Sequence, residues 1–417
     1  MTDDPFADVL NARFRARLDS LSLRPLVVGF SGGGDSLYLL LQACAFGRRT
    51  GRRVVALTVD HGLQPDSAAW TRAAGAAATA LGADWRALVW EGVKPATGLP
   101  SAARQARHRL LARGARSVGA RVILLGHTAD DLAESALMRE AEASSLPDPR
   151  EWSPSPVWPE GRDLFLFRPL LSLRRTALRE ALAARGLTWL DDPANDDLRF
   201  ARARARQALR RGAEIAPLPL PTSGDSPRAR LARQITCTPE GHAVFDRALL
   251  RETPAEVLHP VLGAAVLSIG GGRVPPGRAA LDRLVTALGG TGPRRTHLAG
   301  VRLAADEARI LLARDARDLR RRPASGGEGV FDNRFEIDPE AAVGFLAGQS
   351  ARLSREDRRR LKAIPALARP ALPVLDPDGA TPMLPAPIGV AQPAVRALAP
   401  GRFAAACGLV ACEAEIG

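Results

Sequence analysis

The sequence predicts an α/β protein, a doubly wound parallel sheet followed by a smaller C-terminal region that is mostly helical or α+β. Three observations carry this. Apolar runs of strand length alternate with helical periodicities from residue 26 to residue 190. The runs are apolar at nearly every position rather than every second one, as strands covered on both faces are. Polar clusters follow the carboxyl ends of three of them, where open α/β sheets hold ligands.

Taken in order, Phe6, Val9, Leu10, Phe14, Leu18 and Leu21 fall at helical spacing and predict a lead-in helix over 6–21. Residues 26–30 form the opening strand, and Ser31-Gly32-Gly33-Gly34-Asp35-Ser36 follows it directly. Three glycines let the backbone turn sharply and present its N–H groups. The helix they open, expected to run to about Gly47, adds its partial positive charge, so the loop reads as a pyrophosphate cradle. It is not the GxxxxGK[ST] loop, because it has no lysine.

A second strand, 54–59, ends in Asp60-His61, and a helix follows from Asp66-Ser67 to about Leu81. The third strand spans 85–90. A helix over 101–113, with Ser101 as its N-cap, places Arg104, Arg107 and His108 on one face. The fourth strand, 122–125, runs into Gly126-His127-Thr128-Ala129-Asp130-Asp131-Leu132-Ala133-Glu134. Thr128 or Asp130 is placed to cap the next helix, with His127, Asp131 and Glu134 near the glycine loop.

A proline-rich loop covers 144–163, the fifth strand and its exit 164–171, and a helix 174–185 ends at Gly186. Beyond the turn-rich 189–196, Arg199, Arg202, Arg206 and Arg210 recur three and four apart, a basic stripe on one helix. These features divide the chain into an α/β domain (1–215), a proline-rich linker (216–228), a helical or α+β region (229–345) and a C-terminal region (346–417). Within the second half, 246–288 reads as helical, broken at Gly270-Gly271-Gly272, and 297–312 as a hairpin turning at Asp306-Glu307.

Composition narrows the partners. The 417 residues carry a formal charge of +13, and of the 58 basic residues only Lys94 and Lys362 are lysine. Arginine is the better fork for phosphate, so a polyanion suits the chain. The four cysteines make no CxxC pair, so neither a zinc ribbon nor an iron–sulfur cluster is expected. Sparse cysteine, an acidic N-terminus and no apolar run near the ~20 residues of a membrane span fit a cytoplasmic protein with no membrane partner.

Singly, each candidate has an ordinary structural reading. His127 is equally a core histidine, Asp130 and Asp131 helix-start carboxylates, and the arginine stripe a solvated face. Together they fit a site in which carboxylates hold a metal or an amine beside a phosphate cradle.

In that order and spacing the motifs resemble a known family. Ser31-Gly32-Gly33-Gly34-Asp35-Ser36 is similar to the PP-loop of N-type ATP pyrophosphatases (adenine nucleotide alpha hydrolase-like folds). Val59-Asp60-His61-Gly62-Leu63, Ala103-Arg104-Gln105-Ala106-Arg107, the stretch from Gly126 to Glu134, Arg168-Pro169-Leu170-Leu171 and Trp189-Leu190-Asp191-Asp192-Pro193-Ala194-Asn195 narrow the resemblance to the tRNA(Ile)-lysidine synthetases. It covers roughly residues 22–211. Three positions depart from the family pattern: His108 for a tyrosine, Ala194 for a serine and Ala203 for an asparagine.

The resemblance implies an AMP-forming ligase. ATP adenylates C2–O of the wobble cytidine in an isoleucine tRNA with a CAU anticodon, and the side-chain amine of L-lysine then displaces AMP. It implies ATP binding by Ser31, Gly32, Gly33, Gly34, Asp35 and Ser36 with Asp60, His61 and His127, and Mg2+ at Asp35. Asp35, Asp131 and Glu134 would be catalytic, the last two holding the lysine. Arg104, Arg107, Arg202 and Arg206 would contact phosphate or substrate. A 2-thiocytidine-forming enzyme of the same superfamily would be expected to carry CxxC cysteines. A non-catalytic RNA-binding protein with a relic nucleotide fold would not need the intact loop and carboxylates.

Overall fold

The computed structural model describes residues 4–142, 149–191, 201–210, 226–321, 325–326, 329–376, 382–385 and 395–416. The chain divides into two compact units, Met1–Thr222 together with Ala411–Gly417, and Ser223–Val410.

The first unit contains α1 (Ala7–Arg17), β1 (Leu26–Gly29), α2 (Gly34–Thr50), β2 (Val54–Asp60), α3 (Ser67–Ala80), β3 (Asp84–Val89), α4 (Leu99–Ser117) and β4 (Val122–Leu125). It continues with α5 (Ala129–Glu142), β5 (Trp152–Pro154), β6 (Phe165–Phe167), α6 (Arg175–Ala183) and α7 (Ala201–Arg210). The strands form one sheet in the order β3-β2-β1-β4-β6-β5. All its pairings are parallel except β5 with β6. Val27, Val28, Ile123 and Leu124 are buried in it, as continuous apolar runs require. Strand β1 pairs with β2 on one side and β4 on the other, so the order reverses there, and the glycine loop leaves from that point.

Three local expectations are corrected. Helix α2 runs through Gly47 and stops at Gly51, which adopts the left-handed conformation at φ 71°. Gly47 is a packing glycine, since a Cβ there would lie 2.6 Å from the Arg52 carbonyl oxygen. Helix α4 starts at Leu99 behind Gly98, so Ser101 is inside the helix and not its N-cap. The proline-rich loop contains a strand, β5, whose Trp152 stacks on Phe165 with ring centroids 5.0 Å apart.

The segment from Ala411 belongs to this unit. Glu413 takes hydrogen bonds from both terminal nitrogens of Arg52, at 2.7 and 2.8 Å, with both side chains buried. The expected C-terminal region, 346–417, is therefore divided at Ala411.

The second unit contains α8 (Pro227–Ala232), β7 (Thr236–Cys237), β8 (His242–Asp246), α9 (Leu249–Glu252), α10 (Ala255–Gly270), α11 (Arg278–Gly289), β9 (Arg294–Leu298), β10 (Val301–Ala305) and β11 (Arg309–Arg314). Its five-stranded sheet, ordered β7-β8-β11-β10-β9, is antiparallel. The expected hairpin turns at Asp306, whose carboxylate accepts the N–H groups of Ala308 and Arg309. Leu258, Val261, Leu262, Val266 and Ile269 of α10 share a core with Val301, Leu303, Ile310 and Leu312. A further short strand, Pro373–Leu375, pairs antiparallel with Val343–Phe345. Most of the expected linker lies outside the described residues.

Candidate active site

At the end of β1 the chain turns at Gly32, in the left-handed region at φ 84°. Gly33 is the N-cap of the 17-residue α2. Two hydroxyls fix the turn: Ser36 Oγ donates to the Gly33 carbonyl at 2.9 Å and lies 3.1 Å from Ser31 Oγ. The first N–H groups of α2 therefore face a cavity of about 230 Å³, lined by Gly33, Gly34, Asp35 and Ser36 on one side. Free N–H donors and the helix charge make this an anion site. Gly32 lines no part of it. Its carbonyl accepts the N–H of Leu190, and a Cβ at 32 would meet Leu190 Cδ1 at 2.7 Å.

Asp131 lines the same cavity, and with Asp35 and the buried Glu134 it forms a carboxylate cluster. Asp131 caps its own helix, Oδ2 accepting the Thr128 N–H at 2.7 Å and the Thr128 hydroxyl at 3.0 Å. That leaves Asp131 Oδ1 facing Arg175, 3.4 Å away. Glu134, 1% exposed, takes Arg175 NH1 at 3.1 Å and Arg206 Nε at 2.9 Å on one oxygen. Asp35 takes Arg175 Nε at 2.8 Å. Asp130 holds the backbone N–H of Arg175, also at 2.8 Å. Arg175 is thus the hub of the cluster.

Sequence reasoning missed Arg175. It opens α6 after the loop that follows β6, and nothing in the sequence sets it apart from the other arginines.

Burial raises the pKa of Asp35, and Arg175 pulls it back only in part. Burial works against the charge on Arg175, but Asp35, Asp131 and Glu134 together hold its pKa above the ordinary arginine value. Asp35 Oδ1 is buried with no hydrogen-bond partner. A divalent cation fits that orphaned oxygen. Among the described residues no group of three His, Cys, Asp or Glu forms a metal cage, so such a cation would complete its shell with phosphate and water oxygens.

A second cavity, of about 570 Å³, adjoins the first, sharing Gly29, Ser31, Gly33, Arg107, Leu190 and Asp191 with it. Leu57, Val59, Leu63, Trp70 and Leu111 give it apolar walls, and Asp60 and His61 stand at its edge. Asp60 accepts the N–H of Gly62 at 2.8 Å, which folds the strand exit. Burial, then the charge of Arg107, lowers the pKa of His61, and its Nδ1 is a buried acceptor or donor without a partner.

The remaining candidates separate. His127 lines the smaller cavity, its Nδ1 accepting from Arg168 Nε at 3.1 Å, so its proton sits on Nε2. Arg107 lines both cavities and Arg206 the smaller one, whereas Arg104 is exposed and lines neither. His108 is buried, and burial followed by Arg107, Arg104 and Arg168 pushes its pKa down to about 3. The Arg202 side chain and Arg199 lie outside the described residues, as does the segment from Asp192 to Asn195.

The chain is similar to several known proteins. Residues 7–212 match the PP-loop domain family. Over 97% of its length the chain is 46% identical to the tRNA(Ile)-lysidine synthase of Caulobacter vibrioides, covering 98% of that protein. It is 33% identical to the Rhizobium meliloti protein of the same name, over 79% of this chain and 77% of that one. Among solved structures, a U34-tRNA thiolase from Methanococcus maripaludis aligns with 52% of this chain and 82% of its own, at 16% identity and a TM-score of 0.38.

Proposed function

Since the chain belongs to the tRNA(Ile)-lysidine synthase family, we propose that its two adjoining cavities carry out the two halves of lysidine formation, ATP cleavage and attack by lysine. The enzyme uses ATP to attach free lysine to an isoleucine tRNA. The acceptor is C2 of the wobble cytidine of a CAU anticodon.

One observation carries the assignment: the anion cradle at the start of α2, Asp35 included, and Asp131 line the same 230 Å³ cavity, and Arg175 joins both carboxylates to the buried Glu134. The purine of ATP lies against Leu57, Val59 and Trp70 in the larger cavity, and its phosphates cross the shared rim to Gly33, Gly34 and Ser36. Cytidine O2 attacks the α-phosphorus, and the bond to the β-phosphate oxygen breaks. Backbone donors at the α2 terminus and Arg107 take up charge on the departing pyrophosphate. Mg2+ at Asp35 Oδ1, when bound, supplies further neutralisation of the triphosphate.

In the second step the lysine amine forms the N–C2 bond, and AMP leaves with the former O2. An ammonium has no lone pair, so it must first lose a proton. Asp131 and Glu134 are the carboxylates beside the reacting centre, and we assign them the lysine side chain and that proton. No helix among the described residues is long and apolar enough to cross a membrane.

The test is incorporation of labelled lysine into CAU isoleucine tRNA, with AMP and pyrophosphate released in equal amounts. Methionine tRNA, which shares the CAU triplet, should stay unlabelled. ATP cleavage that ignores both tRNA and lysine would overturn the assignment.

A further inference from the structure

Resting on the lysine-ligase reading, we infer that Arg168 is a positioning residue for the ATP-cleaving step. Its guanidinium holds the His127 ring with the hydrogen on Nε2, so that the ring offers a donor to the phosphates bound at the start of α2.

The placement follows from the sheet. Strands β4 and β6 are parallel neighbours, with Leu124 beside Phe167. His127 and Arg168 therefore leave the same edge of the sheet side by side, two residues beyond β4 and one beyond β6. A Cβ at Gly126 would lie 3.1 Å from the Asp35 backbone, so the chain that carries His127 packs against the first turn of α2. His127 lines the same cavity as Gly33, Gly34 and Ser36.

The contact between the two side chains is directional. Arg168 Nε donates to His127 Nδ1 at 3.1 Å. A guanidinium has donors only, so Nδ1 must supply a lone pair, and a neutral ring then carries its hydrogen on Nε2. The rest of Arg168 is fixed on its other side. A terminal nitrogen donates to the Arg150 carbonyl at 2.7 Å and to the Ser153 hydroxyl at 3.0 Å. Its backbone N–H donates to the Glu151 carbonyl at 2.8 Å. Burial, followed by the charges of Arg104 and Arg150, pushes the Arg168 pKa down to about 10, which leaves it a cation at neutral pH.

The chemistry of the ligand gives the contact its use. Phosphate oxygens only accept hydrogen bonds. A ring protonated on Nε2 can donate to one, whereas the other tautomer would turn a lone pair towards it. Charge grows on the pyrophosphate as it departs, so a donor already in place is worth most in the transition state. Loss of the fixed tautomer should lower kcat more than it raises the KM for ATP.

Two measurements test this. Ring-nitrogen NMR of the whole enzyme, with the His127 signal assigned by its loss in His127→Gln, should show hydrogen on Nε2 and none on Nδ1 near neutral pH. A ring protonated on Nδ1 overturns the proposal. The second measurement is a double-mutant cycle on tRNA-dependent pyrophosphate release. Arg168→Met should lower kcat about 10–100-fold, the range for losing the outer partner of an oriented histidine, with a much smaller change in KM for ATP. In His127→Gln the side-chain amide nitrogen stands in for Nε2 and carries hydrogens without help, so Arg168→Met should cost little on that background.

Equal costs on both backgrounds would assign Arg168 to the packing of β5 and overturn its role. Should R168M fail to fold, judged by circular dichroism, Arg168→Lys takes its place in the cycle, since an ammonium can grip the Arg150 carbonyl and the Ser153 hydroxyl but has no Nε–H. If the wild-type enzyme releases no pyrophosphate with tRNA, the ligase reading falls, whereas the ring measurement still decides the contact between Arg168 and His127.

Discussion

The N–H of Leu190 donates to the carbonyl of Gly32 at 3.0 Å, so the segment after α6 closes over the back of the phosphate loop. Gly32 is at φ 84°, and a Cβ there would sit 2.7 Å from Leu190 Cδ1. Gly32→Ala therefore meets both a backbone and a packing penalty. The left-handed conformation alone costs about 1–2 kcal/mol. We expect a lower Tm and a raised KM for ATP. Adding Leu190→Ala should relieve the packing part and leave the backbone part, so a double variant fully restored to wild type would contradict this account.

Asp35 stands between the anion cradle and the cluster, and tRNA binding should draw on neither. Asp35→Ala is expected to reduce tRNA-dependent pyrophosphate release by about 10²–10³-fold, the scale of a lost electrostatic contact in a preorganised site. Affinity for tRNA should change little and should fall steeply with salt, as a chain of net charge +13 bound mainly through phosphates requires. Filter binding from low to moderate salt, run beside the release assay, separates the two effects.

These residues also show what the sequence could and could not reveal. The central strands were legible because 26–29 and 122–125 are continuous apolar runs, and the glycine loop because strand, turn and helix follow each other directly. Arg175 was not legible. It is one of 58 basic residues, and its meaning comes from Asp35, Asp131 and Glu134, which folding alone brings together. Gly47 was misread as a helix stop because a glycine that admits a close carbonyl looks, in sequence, the same as one that ends a helix. Strand β5 escaped notice because it is three residues long and ends in Pro154. Asp131 was read for its chemistry, but half of its carboxylate is a helix cap on Thr128.

His108 makes the first unit acid-sensitive. Its pKa is pushed down to about 3 by burial, followed by Arg107, Arg104 and Arg168. The folded chain therefore keeps it neutral while the unfolded chain protonates it near pH 6.5. Below that pH the unfolded state binds the extra proton, so stability present at neutral pH is lost as pH falls towards 3. The slope approaches about 1.4 kcal/mol per pH unit. Urea unfolding at pH 7, 6 and 5 should show it, and His108→Phe should flatten it. An unchanged slope in that variant would assign the acid sensitivity to other groups.

The pair Arg52 and Glu413 ties the segment from Ala411 to the strand entry of β2 through two hydrogen bonds at 2.7 and 2.8 Å, with side chains 1% and 2% exposed. Arg52 also donates to the Arg24 carbonyl, and Glu413 accepts the N–H of Asp19. Removing one partner leaves an uncompensated buried charge, which costs about 3–5 kcal/mol. Glu413→Leu should therefore destabilise the first unit more than the double change Arg52→Met/Glu413→Leu, which removes both charges at once. A double-mutant cycle read by urea unfolding should give a coupling of about 2–3 kcal/mol, the upper range for residues in direct contact. Strict additivity would mean that the tail is held by its backbone bonds and the ion pair is incidental. Coupling of the expected size would make residue 413 a structural part of the sheet that carries Asp60, although 361 positions separate it from Arg52 in sequence.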